Sequence, residues 1–549
     1  MTGGMAIVEA LIANGVDILF GLPGAQLYAL FDALQQRRQA IRTVGARHEQ
    51  ACGYMAFGYA RSTGRPGVYA VVPGPGMLNT TAALATALAC NAPVFCITGQ
   101  VPAAFIERGR GHLHELPNQL ATLRSLVKWA ARIEHPADAP TVVNEAFRQM
   151  LSGRPGPVAV EMAWDSMGSA ALVSPIAGAA IAPARAPAAA EVEAAAKLVV
   201  AARRPMIMTG GGAQHASAAV LALAEELSAP VAAFRGGRGV LAEDHELAIS
   251  SHAAFELWPQ TDVLIGIGTR LEMPYMRWSG MMTLIDRPSP PPHLIRIDID
   301  PAEMHRLVPH AGILADAETG TRALLAAIKS SQRPAAGATG DAWRAHISDA
   351  KRASRAQIAK VQPQLAYLDV IRELLPRDGF FVAELSQVGF TSYFGFPVLA
   401  PRTYVSEGYQ GTLGFGFPTA LGVKIAHPDR AVISVTGDGG FMFAVQELAT
   451  AVQERIGLVT LLFNNGSYGN VLRDQRTNFA NRINGALLDN PNFMMLAEAF
   501  GVQAHRVAAP DELRPVLKAA LGADAPVLIE IVIAPDSEAS PWEFIHPQR

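Results

Sequence analysis

The sequence predicts an α/β protein of three domains, each with a mostly parallel sheet, and three observations predict it. Short apolar, β-branched runs alternate with helix-period patterns almost throughout, the signature of βα units. Glycine-rich turns follow strand-like runs in the first and last thirds, where open α/β sheets bind ligands beyond the carboxyl ends of their strands. Two composition shifts read as linkers: residues 166–189, rich in Ala and Pro, and residues 331–340 (SQRPAAGATG). The blocks are therefore 1–165, 190–330 and 360–549, with a helix predicted over Asp341–Lys360.

Composition narrows the function classes. The chain has 549 residues, 50% apolar and 17% charged, which suits a folded enzyme and not a disordered chain. A net charge of −3 and the lack of any Lys/Arg run argue against a nucleic-acid partner. Cys52, Cys90 and Cys96 have no metal-ligand spacing and fit a reduced, cytoplasmic protein. The apolar N-terminus lacks a basic flank and is broken by Asn14, Gly15 and Asp17. It reads as a helix over Met5–Ala13 and a strand over Asp17–Phe20, not as a signal peptide. No apolar run reaches the ~20 residues of a membrane span.

The last block carries the sharpest signal. Val432–Val435 reads as a buried strand, followed by Gly437, Asp438, Gly439 and Gly440. Glycines at such a turn let backbone N–H groups approach a diphosphate. After 24 further residues come Asn464 and Asn465, delivered by a second strand over Leu458–Phe463. Asp438 offers a carboxylate oxygen and Asn465 an amide oxygen, hard donors that suit Mg²⁺. On residue types alone, two unrelated turns after two strands would also account for both motifs.

The paired motifs resemble the thiamine diphosphate (ThDP) binding signature. Others agree in order: Gly21-Leu22-Pro23-Gly24, His48-Glu49-Gln50, Gly74-Pro75-Gly76 with Asn79, Ile97-Thr98-Gly99-Gln100, Gly153-Arg154-Pro155-Gly156-Pro157, Ile297-Asp298-Ile299-Asp300-Pro301 and Gly411-Thr412-Leu413-Gly414. The whole chain is similar to the acetolactate synthase-like branch of ThDP-dependent enzymes. The resemblance implies pyrimidine-binding, central and diphosphate-binding domains, in that order. It implies that Glu49 exchanges a proton with the aminopyrimidine, a general acid–base role, and that Leu413 props the bent cofactor beside the Gly411 carbonyl. On residue type alone, Glu49 suits equally the start of a surface helix over Gln50–Tyr59. The same resemblance places Gly24, Gly76, Asn79, Ser386, Gln387 and Tyr468 around the cofactor, and the Ser467 carbonyl as a third Mg²⁺ oxygen. In this family the cofactor lies between two subunits, which implies a homo-oligomer, dimer or tetramer.

Departures from the family bear on the reaction. Where acetolactate synthases carry Phe-Gln-Glu, this chain reads Leu113-His114-Glu115, with His112 two residues before His114. A histidine can move protons near neutral pH, so His114 and His112 are candidate proton donors, or surface-loop residues. The family's substrate-pocket Trp is replaced by Asp474, and Asn470 stands where an apolar residue faces the substrate. The central block keeps Gly210-Gly211-Gly212, Arg270, Asp300 and Asp316, which resemble parts of a FAD site. Ser251-His252-Ala253 and Met273-Pro274 depart from it, so bound FAD, an ADP-type ligand and an empty site stay open. The expected activity is ThDP- and Mg²⁺-dependent decarboxylation of a 2-oxo acid, giving an aldehyde or, by carboligation, a 2-hydroxyketone. A carbon–carbon hydrolase or lyase on a diketone or 2-hydroxyacyl substrate, a flavin-linked oxidase, and a non-catalytic binding subunit are the rival expectations. The tail segment Ser540–Phe544 is expected either to cover the site mouth or to pack elsewhere.

Overall fold

Apolar β-branched runs too short for helices become the strands of three six-stranded sheets, all of them parallel. The computed structural model of the chain describes residues 1–175, 177–278, 292–331 and 337–547. In the first block the strands are β1 (Ile18–Gly21), β2 (Arg42–Gly45), β3 (Gly67–Val71), β4 (Val94–Gln100), β5 (Trp129–Ile133) and β6 (Val158–Ala163), in the order β2-β1-β3-β4-β6-β5. The central block holds β7 (Pro205–Thr209), β8 (Val231–Ala233), β9 (Ala248–Ile249), β10 (Val263–Ile267), β11 (His293–Asp298) and β12 (Ala311–Leu314), in the order β12-β11-β10-β7-β8-β9. The last block holds β13 (Phe380–Ala383), β14 (Tyr404–Val405), β15 (Val432–Gly437), β16 (Val459–Asn464), β17 (Gln503–Val507) and β18 (Val527–Val532), in the order β14-β13-β15-β16-β18-β17. The first and last sheets therefore follow the same strand path. β15 pairs with β16 from Ile433–Val459 to Gly437–Phe463, which brings the turns after both strands to one edge.

The linker over 166–189 contains one short helix, Trp164–Gly168, and regular structure resumes at Ala189. Of the second linker, residues 332–336 lie outside the described residues, and the helix predicted from Asp341 begins earlier, at Gly337. Among the described residues no helix is long and apolar enough to cross a membrane.

One helix crossing joins the first and last blocks. The helix Glu49–Thr63 lies against Gly416–Ala426 so closely that a Cβ on Gly58 would sit 2.2 Å from the Thr419 carbonyl oxygen. A Cβ on Gly422 would sit 2.1 Å from that of Met55. Only glycine permits backbones to approach this far. Tyr54 and Phe57 both pack edge-on against the buried Phe415 ring, at 5.5 Å. The crossing fixes the loop before Phe415, which carries Gly411 and Leu413, against the helix that starts at Glu49.

Candidate active site

The turns after β15 and β16 frame a cavity of about 240 Å³. Gly437–Gly440, Asn465, Ser467, Tyr468, Leu413, Ser386 and Gln387 all contribute to its wall. β15 ends in the four-residue turn of helix Asp438–Phe441, which buries Asp438 at the strand's carboxyl end. Burial pushes the Asp438 carboxyl up, while the Asn490 amide (2.6 Å) and backbone N–H groups of Gly439 and Gly466 oppose that. No cationic side chain pairs with Asp438 among the described residues. The Asn465 amide oxygen is oriented by Ser467, whose N–H and hydroxyl both donate to it at 3.1 Å. A buried carboxylate without a countercharge, an amide oxygen and Ser467 on one wall form a hard-oxygen donor set that fits Mg²⁺. The glycines leave room as a diphosphate cradle requires: a Cβ on Gly439 would sit 2.4 Å from the Tyr468 ring. Gly411, at φ +59°, stands outside the wall, next to Leu385.

Ser386 caps the helix Gln387–Gly395, its hydroxyl accepting from the Gly389 N–H at 3.0 Å, and so presents Ser386 and Gln387 to the cavity. Asn470 lines the cavity and accepts the indole N–H of Trp542. Trp542 also packs on Phe390 at 5.2 Å, whereas Phe544 stacks on Phe394 at 4.9 Å. The tail thus holds Asn470 with one aromatic and packs on the helix Gln387–Gly395 with both. Asp474 is exposed and takes no part in the wall.

Glu49, Gly24, Gly76, Asn79 and His114 contribute nothing to this cavity. They form a second group in the first block. Asn79 donates to Glu49 Oε2 at 3.0 Å, and a Cβ on Gly76 would lie 3.5 Å from Glu49 Oε1. Val72 fills the space a Cβ would need at both Gly24 and Gly76. His114 joins this group: a Cβ on Gly74 would lie 2.5 Å from the His114 carbonyl, so the loop is seated on the turn that reaches Glu49. His114 Nδ1 lies 3.1 Å from Gln26 Oε1. His112 turns away and packs on the Phe105 ring at 4.1 Å. The loop owes its shape to Glu115, whose carboxylate accepts from the backbone N–H groups of Gly109, Arg110, Gly111 and His112 at 2.7–3.3 Å. Those bonds, led by that from His112, hold the Glu115 carboxyl below its ordinary range.

Several residues in or behind the two groups carried no sequence signal. Asn490 bridges Asp438 and Asn464 from a loop beyond β16. Glu538, on the tail, lines the cavity and accepts from Asn465 Nδ2 at 2.8 Å; burial pushes its carboxyl up. Glu384 is buried beneath the cavity, where Thr436 donates to it at 2.6 Å and Gly414 N–H at 2.5 Å; burial raises its pKa to about 7.

The FAD-like residues of the central block gather at its switch point between β7 and β10, beside a crevice of about 310 Å³. Arg61 of the first block lies 3.7 Å from where a Cβ on Gly211 would be. Arg270 lies over the Tyr409 ring at 4.7 Å, and Asp316 Oδ2 lies 2.7 Å from His215 Nε2. Asp300 caps the following helix through the Ala302 N–H (2.9 Å) and pairs with Arg154 at 3.2 Å. Gly211 and Gly212 stay exposed at the crevice, while Arg270, Asp300 and Asp316 already have partners within the chain.

Comparison with known proteins finds a TPP binding domain toward each end of the chain. The thiamine pyrophosphate enzyme family (the same cofactor as ThDP) matches in three parts: its N-terminal TPP binding domain over residues 1–122, its central domain over 192–324 and its C-terminal TPP binding domain over 386–531. A probable 2-ketoarginine decarboxylase, AruI, of Pseudomonas aeruginosa is 34% identical over 539 residues, 97% of this chain and 94% of that one. A probable acetolactate synthase large subunit of Methanocaldococcus jannaschii is 34% identical over 98% of this chain and 93% of its own length. The acetolactate synthase isozyme 1 large subunit of Escherichia coli is 30% identical over 100% of this chain and 96% of its own. A cradle after β15, a hard-oxygen pair and relatives matched over nearly full length lead to one conclusion: the chain belongs to the ThDP-dependent enzymes, in their acetolactate synthase-like branch.

Proposed function

We propose that this enzyme decarboxylates a 2-oxo acid and releases an aldehyde. The observation that carries the reading is His114, seated by Gly74 on the same turn that reaches Glu49. When bound, ThDP supplies a nucleophilic carbon and an electron sink for the loss of CO₂. Asp438, Asn465 and the Ser467 carbonyl would hold the Mg²⁺. Glu49 would be the proton partner of the cofactor's aminopyrimidine ring. Gln26 decides which atom of His114 is free. The Leu113 carbonyl can only accept, so Gln26 turns its N–H₂ toward it, at 2.9 Å, and its oxygen toward His114. Nδ1 of His114 then carries a proton, and Nε2 is the atom that takes a second proton from solvent and hands it on to the product carbon. The balance is one carbon–carbon bond broken, one proton consumed, and CO₂ and an aldehyde released.

The relatives named acetolactate synthase support a second outcome, carboligation to a 2-hydroxyketone. Two features of this chain favour proton delivery: His114 where those enzymes carry Gln, and a polar wall at Asn470 and Glu538. Glu538 in that wall, together with the substrate named for the Pseudomonas relative, makes a 2-oxo acid with a cationic side chain the first to supply. The test is product identification by NMR, with ThDP, Mg²⁺, pyruvate and a panel of larger 2-oxo acids including the guanidino one. CO₂ with an aldehyde supports the reading. A 2-hydroxyketone overturns the proton-delivery half, and no CO₂ from any acid overturns the whole.

The two groups of site residues do not share a cavity within one chain, so the reading includes a homodimer, or a tetramer of paired dimers, in which Glu49 of one copy faces Asp438 of the next.

A further inference from the structure

A cavity of about 300 Å³ lies between the central and last blocks, away from the cofactor groups. Lys351 and Arg355, one turn apart on the helix Gly337–Ile358, line it together with Ser251, Asp369 and Tyr393. Its other charged pair is already matched: Arg238 donates to Glu243 at 2.8 Å. Lys351 Nζ donates to one carbonyl, that of His245 at 2.6 Å, which leaves two N–H groups free. The Arg355 side chain has no hydrogen bond or ion pair among the described residues. The Ser251 hydroxyl is buried and finds no partner among them. Burial first, and the Arg355 charge as well, hold the Lys351 ammonium below its ordinary range against the pull of Glu243 and Asp244. Like charges one turn apart beside an unsatisfied hydroxyl destabilise a fold unless something joins them. An oxyanion is the group that all three donors accept in common. Asp369 also lines the cavity and makes no close ion pair among the described residues, although the Arg355 charge acts on its carboxyl against the rise that burial gives it; it suits a ligand that also carries a hydroxyl or other donor.

One helix connects this cavity to the candidate active site. Ser386, Gln387 and Phe390 at its start line the cofactor cavity, and Tyr393, Phe394 and Gly395 at its end line this one. We propose that the cavity is an effector site for a small oxyanion, a carboxylate or a phosphate ester, gripped by Lys351, Arg355 and Ser251 and felt at the active site through the helix Gln387–Gly395.

The test uses the enzyme saturated with ThDP and Mg²⁺. Inorganic phosphate and L-malate are titrated separately, binding is followed by calorimetry, and turnover is measured alongside. At least one anion should bind saturably and change turnover. Arg355→Gln should weaken that binding about tenfold or more, with turnover in the absence of anion unchanged. Arg355 is exposed and unpaired, so the variant keeps the fold. A response to phosphate alone assigns phosphate esters, to malate alone carboxylates, and to both the shared oxyanion chemistry. No saturable binding, or equal binding by wild type and variant, overturns the site. Loss of binding in the variant without any anion effect on wild-type turnover overturns the coupling. The binding arm is independent of which reaction the enzyme runs.

Discussion

Glu49 is half-buried and, among the described residues, its side chain is hydrogen-bonded to Asn79 alone, whereas Asp438 is buried and held by Asn490 and backbone N–H groups. That contrast suits a carboxyl free to meet a ring nitrogen and one whose oxygens are fixed in place for a cation. Glu49→Gln should leave ThDP binding close to wild type by calorimetry and lower turnover at least about 100-fold. Turnover that survives the change would remove Glu49 from the chemistry. Glu384 makes a different prediction. Its folded pKa, about 7, lies above the ordinary 4.5, so its contribution to stability is full below about 4.5 and is lost as pH rises through about 7. The loss is on the order of 3 kcal/mol. Denaturant titrations from about pH 5 to about pH 8 should show wild type losing stability relative to Glu384→Gln; parallel curves would contradict the raised pKa. Glu49, Asp438 and Asn465 were legible in the sequence because each sits in a short motif with a fixed offset. Asn490, Glu538 and Gln26 were not, because what they do depends on partners 26 to 88 residues away that only the fold brings near.

The segment Gly109–Glu115 is an element without regular hydrogen bonds of its own, closed by one carboxylate. Glu115→Ala should expose the amides of residues 109–112 to rapid hydrogen exchange while the neighbouring β4 amides stay protected. The same variant should shift products away from the aldehyde, since His114 loses its seat. Unchanged exchange would mean that the loop is held by something other than Glu115. Elements were read from the sequence more accurately in type than in length. The helix expected over Gln50–Tyr59 runs from Glu49 to Thr63, because it ends only where Gly64 turns left-handed at φ +74°. β15 and β16 reach Gly437 and Asn464, past their apolar runs, because the β15–β16 pairing continues to Gly437 and the β16–β18 pairing to Asn464. The altered motifs of the central block were visible in the sequence, but the approach of Arg61 to its glycine turn depends on contact between blocks and had no local signal.

At the scale of the molecule, the separation of Glu49 from the cavity after β15 has a direct test. Glu49→Gln and Asp438→Asn chains should each be inactive alone. Mixed in equal amounts and allowed to exchange subunits, they should recover about a quarter of wild-type activity, since half of the dimers would be hybrids with one of two sites intact. No recovery despite confirmed hybrid formation would place the working site within a single chain. The shared strand path of the first and last sheets carries a further consequence. A polypeptide that lays down the same six-strand route twice has two versions of one scaffold, and under the proposed function they divide a single job, one taking proton traffic and the other phosphate and metal. Their loops are encoded more than 300 residues apart, Glu115 against Asp438, and answer to different chemical demands. The fate of the product can therefore be rewritten by exchanging the loop of one scaffold copy while the cofactor's grip, lodged in the other, is left alone.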